Sequence, residues 1–281
     1  MGLDLPLLHF ALEDLPPFTL ASSRFLVAGT ILYAWSRLHG APRPSNRHWK
    51  ACIVTGGLFF LCGNGAVVWA QQRLPSGIAA LLVAIVPLWV VVLEWLRPPH
   101  RRPRALTLAG VTVGLLGLVL LVGPDALSRN GAVDPLAAAV LAFGSLCWAY
   151  GTLWAQRAAL PKSPLLTASM QLIGGGALLG IAALLSGELR GIDLSELSRG
   201  AILSMLYLIF FGSILAFTAY GWLVRVAPAS RVATYAYVNP IVALLLGWFF
   251  AGERLGARTL AASGVVLVGV ALITVGTTRR R

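Results

Sequence analysis

Apolar residues run along this chain in blocks about twenty long, separated by short clusters of arginine, proline and other polar residues. A helix needs about 20 mainly apolar residues to cross the hydrocarbon of a bilayer. Nine stretches reach that length: Thr19 to Leu38, Trp49 to Gln71, Ser76 to Leu96, Leu106 to Val122, Pro135 to Arg157, Leu165 to Leu185, Ala201 to Val224, Ala229 to Phe250 and Leu260 to Thr278. None shows the apolar-polar alternation over about ten positions that a membrane β-barrel requires, so the expected fold class is an all-α integral membrane protein.

Composition agrees. The chain is 58% hydrophobic and 11% charged over 281 residues, and its mean hydropathy is +0.81. A soluble domain with that balance would expose large apolar patches. Cys52, Cys62 and Cys147 all fall inside apolar spans and read as small core residues, since an odd, buried set makes neither a disulfide framework nor a metal site. No basic region, apolar core and small-residue cleavage site opens the chain, so the first span itself is expected to direct insertion.

The net charge of +12 raises the possibility of nucleic acid, but the positions of the charges point elsewhere. Alternate loops hold Arg37, Arg43, Arg47 and Lys50; Arg97, Arg101, Arg102 and Arg104; Arg157 and Lys162; Arg225 and Arg231; and Arg279, Arg280 and Arg281, fifteen in all. The intervening loops hold six, Arg73, Arg129, Arg190, Arg199, Arg254 and Arg258, with most of the acids. Strict alternation is the positive-inside rule; it places the C-terminus in the cytoplasm and leaves no basic surface for a nucleic-acid partner. The expected partners are a lipid bilayer and a small-molecule substrate, with the chain acting as a monomer or homodimer.

The pattern also repeats. A shift of 153 superposes "WAQQRLPSGIAALLVAIVPLWVVVLEW" on "WLVRVAPASRVATYAYVNPIVALLLGW", matching Trp69 with Trp222, Pro75 with Pro228, Ala80 with Ala233, Pro87 with Pro240 and Trp95 with Trp248. A shift of 147 pairs Pro17, Ala21, Ser22 and Gly29 with Pro164, Ala168, Ser169 and Gly176, and one of 154 pairs Arg104 and Gly110 with Arg258 and Gly264. Two repeats follow, 1–124 and 134–281, joined by "GPDALSRNGAVDP". Five spans per repeat is an odd number, so the second copy enters the membrane inverted, as in many transporters. The first copy is expected to be incomplete: "MGLDLPLLHFAL" is too short to span, whereas Pro135 to Cys147 precedes the matching point of the second copy.

"GSILAFTAYGWLVRVAPASRVATYAYVNPIVALLLGWFFAGERL", Gly212 to Leu255, resembles the second-repeat signature of EamA-like members of the drug/metabolite transporter superfamily, and "ALEDLPPFTLASSRFLVAG" resembles the first-repeat opening. The resemblance covers nearly the whole chain. It implies a ten-helix, five-plus-five inverted exporter in the cytoplasmic (inner) membrane, with a central substrate cavity and no nucleotide-driven partner. The departure is at the start, where the family reads Trp-Gly and small polar residues and this chain reads Met1, Gly2, Leu3 and Asp4.

Candidate cavity residues follow from polar or aromatic side chains at helical spacing inside apolar spans. Asn239 and Tyr235 are an i, i+4 pair on a face that lipid would penalise, with Tyr237 to the side. Asn239 either lines a cavity or bonds backbone groups released by Pro240. Pro240 and Pro87, at matched depth, are expected as kinks or hinges. Asn64 shares a face with Val68 and Gln71 on a span whose glycines, Gly56, Gly57, Gly63 and Gly65, permit close helix packing. Trp148 and Tyr150 read as cavity lining, and Ser213, Phe217 and Tyr220 follow helical spacing, with Tyr220 and Trp154 near the interfacial belt. Arg24 is close enough to a helix end to snorkel outward.

Enzyme chemistry has no foothold here: no metal-ligand spacing, no phosphate-binding glycine loop and no Ser, His and Asp set at one depth, so no cofactor or metal is expected. The complete spans also lack a mid-membrane acid or histidine of the kind that times proton-coupled carriers. The sequence therefore predicts a carrier that exports small amphipathic or aromatic metabolites or amino acids by alternating access around a midplane cavity. A channel or a structural membrane protein is the alternative.

Overall fold

The computed structural model describes residues 15–74, 76–98, 102–128, 134–189, 198–251 and 256–278. Residues 1–14, on which the expectation of an incomplete first repeat rests, lie outside them, as do Asp193 and the C-terminal arginines. Among the described residues every regular element is a helix. In chain order these are α1 (Pro17–Leu38), α2 (Asn46–Gly56), α3 (Gly65–Ala70), α4 (Ser76–Val83), α5 (Val86–Leu96), α6 (Ala105–Ser128), α7 (Pro135–Ala155), α8 (Pro164–Leu185), α9 (Arg199–Tyr207), α10 (Ala216–Val226), α11 (Ala229–Val232), α12 (Tyr235–Ala251) and α13 (Ala257–Thr278). Two π-helical segments, Gly57–Asn64 and Leu208–Leu215, join α2 to α3 and α9 to α10.

Helix starts follow local chemistry. Ser45, Ser163 and Ser198 cap α2, α8 and α9 through their hydroxyls, and Asp134 Oδ1 accepts from the Leu136 and Ala137 amides at 2.9 and 3.3 Å at the start of α7. α1 has no cap of its own; Glu188 Oε2 instead accepts from Thr19 N at 2.9 Å, placing a carboxylate at the positive end of the helix. α1 and α8 each run 22 residues, and adding 147 to the limits of one gives those of the other. Each is followed by a glycine at positive φ, Gly40 at 82° and Gly187 at 76°, which any other residue would adopt only with strain.

Among the described residues seven helical stretches are long and apolar enough to cross a membrane, against nine predicted from the whole sequence: Asn46–Ala70, Gly77–Leu96, Ala105–Val122, Pro135–Ala155, Pro164–Leu185, Arg199–Val226 and Ala257–Thr277. The first predicted span is α1, which has the length, but Ser22, Ser23, Arg24 and Arg37 dilute its apolar character. The eighth, like the third, contains a break: Thr234 N bonds Arg231 O and Tyr237 N bonds Thr234 O, three-residue links that separate α11 from α12, and α12 itself runs 17 residues.

The chain forms two compact units that interleave the halves of the sequence. One takes the described residues of Leu3–Trp69 and Trp154–Val226, the other those of Ala70–Leu153 and Ala227–Arg281. In the first unit α1 packs along α8. A Cβ on Gly29 would lie 2.9 Å from Ile173 N, and one on Gly176 would lie 3.1 Å from Leu26 N. The two contacts exchange residues 147 apart, and they run in opposite senses along the helices, so α1 and α8 are antiparallel and nearly in backbone contact. Small residues allow that approach where lipid offers no hydrophobic drive. The second unit repeats the device with different residues: α6 packs on α13 through Gly110, Gly114, Gly117, Gly269 and Gly276. Its core gathers Ala84, Val91, Val111, Leu118, Tyr237, Ile241, Val266 and Ile273.

Candidate functional site

Arg24, on α1, is only 6% exposed. Seven residues at 1.5 Å each put it about 10 Å beyond the helix start. Instead of snorkelling outward it turns into the first unit, where its Nε donates to Ser213 Oγ at 2.7 Å. This corrects the expectation from sequence. The cause is a hydroxyl from a distant span, which replaces water as the acceptor. Ser213 is fully buried in the π-helical segment Leu208–Leu215, and its own hydroxyl donates to Leu208 O, five residues back, at 3.0 Å. The wider turn of the π-helix is what leaves that carbonyl within reach.

Aromatic rings continue from the guanidinium. Arg24 Cζ lies 5.1 Å from the Phe25 ring centroid, Phe25 and Phe60 lie 4.4 Å apart, and Phe60 and Phe217 lie 4.6 Å apart. Phe59 meets Phe217 and Tyr220 edge-on at 5.8 and 5.7 Å, and Phe217 stacks on Tyr220. Tyr220, expected at the interfacial belt, is buried in this cluster, because Ser213, Phe217 and Tyr220 share the inward face of their helix. Phe59 and Phe60 come from the π-helical segment Gly57–Asn64. The other π-helical segment supplies Ser213, and Phe217 and Tyr220 follow it on α10; π-helical segments frequently mark functional sites. Asn64, half-buried, closes the first segment. Beside Phe217, the Thr218 hydroxyl is buried without a hydrogen-bond partner among the described residues.

The second unit holds the other candidates. Trp148, 7% exposed on α7, packs against Tyr235 of α12 at 6.4 Å between centroids. Asn239, one turn beyond Tyr235, is half-buried. Tyr150 is 44% exposed. Tyr237, set aside in the sequence, is the fully buried anchor of this unit: its hydroxyl donates to Val111 O at 3.2 Å, and its ring occupies the space that the missing side chain of Gly114 leaves. Pro87 opens α5 directly after the break at Ala84–Ile85, whereas Pro240 lies within α12, beyond the break at Ala233–Thr234. Trp89, two residues after Pro87, has a buried indole N–H with no partner among the described residues.

A buried cation and aromatic run inside an apolar helical chain match a solute-handling membrane protein, and comparison with known proteins supplies the family. The EamA-like transporter family matches residues 1–123 and 136–275. The chain belongs to that family. It is a membrane transporter. It is 36% identical to the uncharacterized inner membrane transporter YedA of Escherichia coli K12 over 271 residues, covering 96% of this chain and 85% of the relative. A protein of Salmonella typhimurium LT2 named as a probable amino-acid metabolite efflux pump is 26% identical over 290 residues, covering 100% of this chain and 93% of that one. A crystal structure that superposes with a TM-score of 0.77, covering 99% of this chain and 94% of its own at 18% identity, shares the fold.

Proposed function

We propose that this transporter exports small amphipathic or aromatic metabolites, amino acids among them, across the cytoplasmic membrane by alternating access. The observation that carries the reading is the intramembrane site of the first unit, where a buried arginine continues into five aromatic rings, in a chain of a transporter family. Ionisable groups at that depth are costly and mark substrate paths in membrane proteins. The export direction is supported by the name of the Salmonella relative, and the inner-membrane location by that of YedA.

The proposed architecture is a ten-helix inverted repeat, 1–124 and 134–281, with the C-terminus in the cytoplasm. Its support is the offset of 147 that relates α1 to α8 and exchanges their glycine contacts, together with the fifteen-to-six distribution of basic residues. Asn64, Trp148, Ser213, Phe217, Tyr235 and Asn239 are the residues proposed to meet the solute. Tyr150 is the least enclosed of the candidates. Pro87 and Pro240 are proposed as hinges, each following an interruption in its span.

A solute-panel screen in an export-deficient host tests the reading. Expression is expected to rescue growth on toxic levels of aromatic or amphipathic amino acids and to lower their intracellular content. Unchanged content across the panel, with the protein present in the membrane, would contradict it.

A further inference from the structure

Several threonines inside helices of this chain donate to the carbonyl four residues back: Thr55 to Ala51 O at 2.9 Å, Thr152 to Trp148 O at 2.8 Å, Thr274 to Val270 O at 2.8 Å and Thr277 to Ile273 O at 3.0 Å. Thr218, on α10, breaks that pattern: its Oγ1 is buried with no hydrogen-bond partner among the described residues. The carbonyl four residues before it is that of Ile214, inside the π-helical segment Leu208–Leu215, where the ladder shifts to five-residue bonds such as Ala216 N to Phe211 O. An unmet buried hydroxyl weakens a fold, and valine has the same shape without it. A group that costs stability where valine would serve points to a ligand.

The surroundings say which kind. Thr218, Gly221 and Arg225 stand at i, i+3 and i+7 of α10 and share a face. A Cβ on Gly221 would meet nothing within 4 Å among the described residues, so the unmet hydroxyl lies one turn from open space. At the end of the face Arg225 is already engaged, its terminal nitrogens donating to Lys162 O and Pro161 O at 2.7 Å each. Phe217, the residue before Thr218, belongs to the aromatic cluster with Phe59, Phe60 and Tyr220. One hydroxyl does not balance an ion in a low-dielectric interior, so the group that Thr218 suits is uncharged, on a body that tolerates aromatic neighbours.

We infer that Thr218 is a specificity-determining residue whose hydroxyl bonds an uncharged polar group of the transported solute in the recess that Gly221 leaves open. The inference rests on the export reading above and names a feature of its substrate class: an aromatic body that carries a hydroxyl or N–H group.

The test uses the full-length protein in proteoliposomes, with L-tyrosine and L-phenylalanine as paired probes that differ by one hydroxyl. Wild type is expected to half-saturate with tyrosine at a concentration about fivefold below that for phenylalanine, the size of one net neutral hydrogen bond. Thr218→Val is expected to bring that ratio to about one, through a loss on tyrosine alone, and to resist unfolding by dodecyl sulfate at least as well as wild type, since it sheds an unpaired buried hydroxyl. Thr218→Ser keeps the hydroxyl and is expected to keep the preference; it decides the matter should the Val variant not fold. Gly221→Leu fills the recess and is expected to slow both probes. A wild-type ratio of one, a ratio unchanged in Thr218→Val, a preference abolished in a folded Thr218→Ser, or wild-type rates in Gly221→Leu would overturn the inference while leaving the transport reading standing. Wild-type transport of neither probe, nor of any other aromatic or amphipathic solute in the panel, would overturn both.

Discussion

The glycine seam between α6 and α13 gives the sharpest stability prediction. A Cβ placed on Gly269 would lie 2.6 Å from Gly114 N, 2.7 Å from Gly114 Cα and 2.9 Å from Gly110 O. All three are backbone atoms in a helix, so no rotamer change relieves the contact. Carbon atoms pack at about 3.5–4.0 Å, so Gly269→Ala must push the helices apart by about 1 Å, and a gap of that size forfeits roughly a quarter to a half of each dispersion contact along the seam. Over-packing of this kind costs about 1–3 kcal/mol. The better helix propensity of alanine returns up to about 1 kcal/mol, leaving a net loss near 1–2 kcal/mol. Gly264 lies on the same helix with nothing within 4 Å of its would-be Cβ, so Gly264→Ala is the matched control and should be neutral or slightly stabilising. Equilibrium unfolding by dodecyl sulfate in mixed micelles, followed by tryptophan fluorescence, reads both variants. A Gly269→Ala protein as stable as wild type, or a Gly264→Ala protein equally weakened, would refute the reasoning.

Tyr237→Phe removes the hydroxyl that donates to Val111 O and should cost about 1 kcal/mol in the same unfolding assay while leaving transport intact, since Tyr237 is a buried anchor of the second unit. Asn239→Leu should abolish transport with little change in melting temperature; a loss of about 1–3 kcal/mol with transport preserved would instead assign Asn239 to backbone support around Pro240. For topology, cysteines introduced at Ser45 and Asp193 should be respectively protected from and labelled by a membrane-impermeant maleimide on whole cells, and the opposite pattern would reverse the orientation.

Much of the fold was legible because hydropathy and helix punctuation are local properties. Pro17 and Pro164 begin helices, and Gly40 and Gly187 follow their ends, each signal acting within a turn of where it stands in the sequence. Ser213 and Phe217 could be picked out because four residues return a side chain to the same helix face. The arginine could not be placed. Whether Arg24 points to water or into the unit depends on a hydroxyl 189 residues away, and on a π-helical turn that has no compositional signature. The sequence assigned no role to Tyr237 for a related reason: the space that fixes its ring belongs to Gly114, on another helix. Spacing along one helix reveals which residues share a face, but not what that face meets.

The central claim is that the protein is a carrier, and counterflow tests it most directly. Proteoliposomes preloaded with unlabelled L-phenylalanine and diluted into a trace of the labelled solute should accumulate label transiently above its equilibrium level, because a carrier that alternates its access exchanges bound solute faster than it returns empty. Uptake that is linear in solute concentration, with no overshoot in preloaded vesicles, would identify a pore and contradict the account.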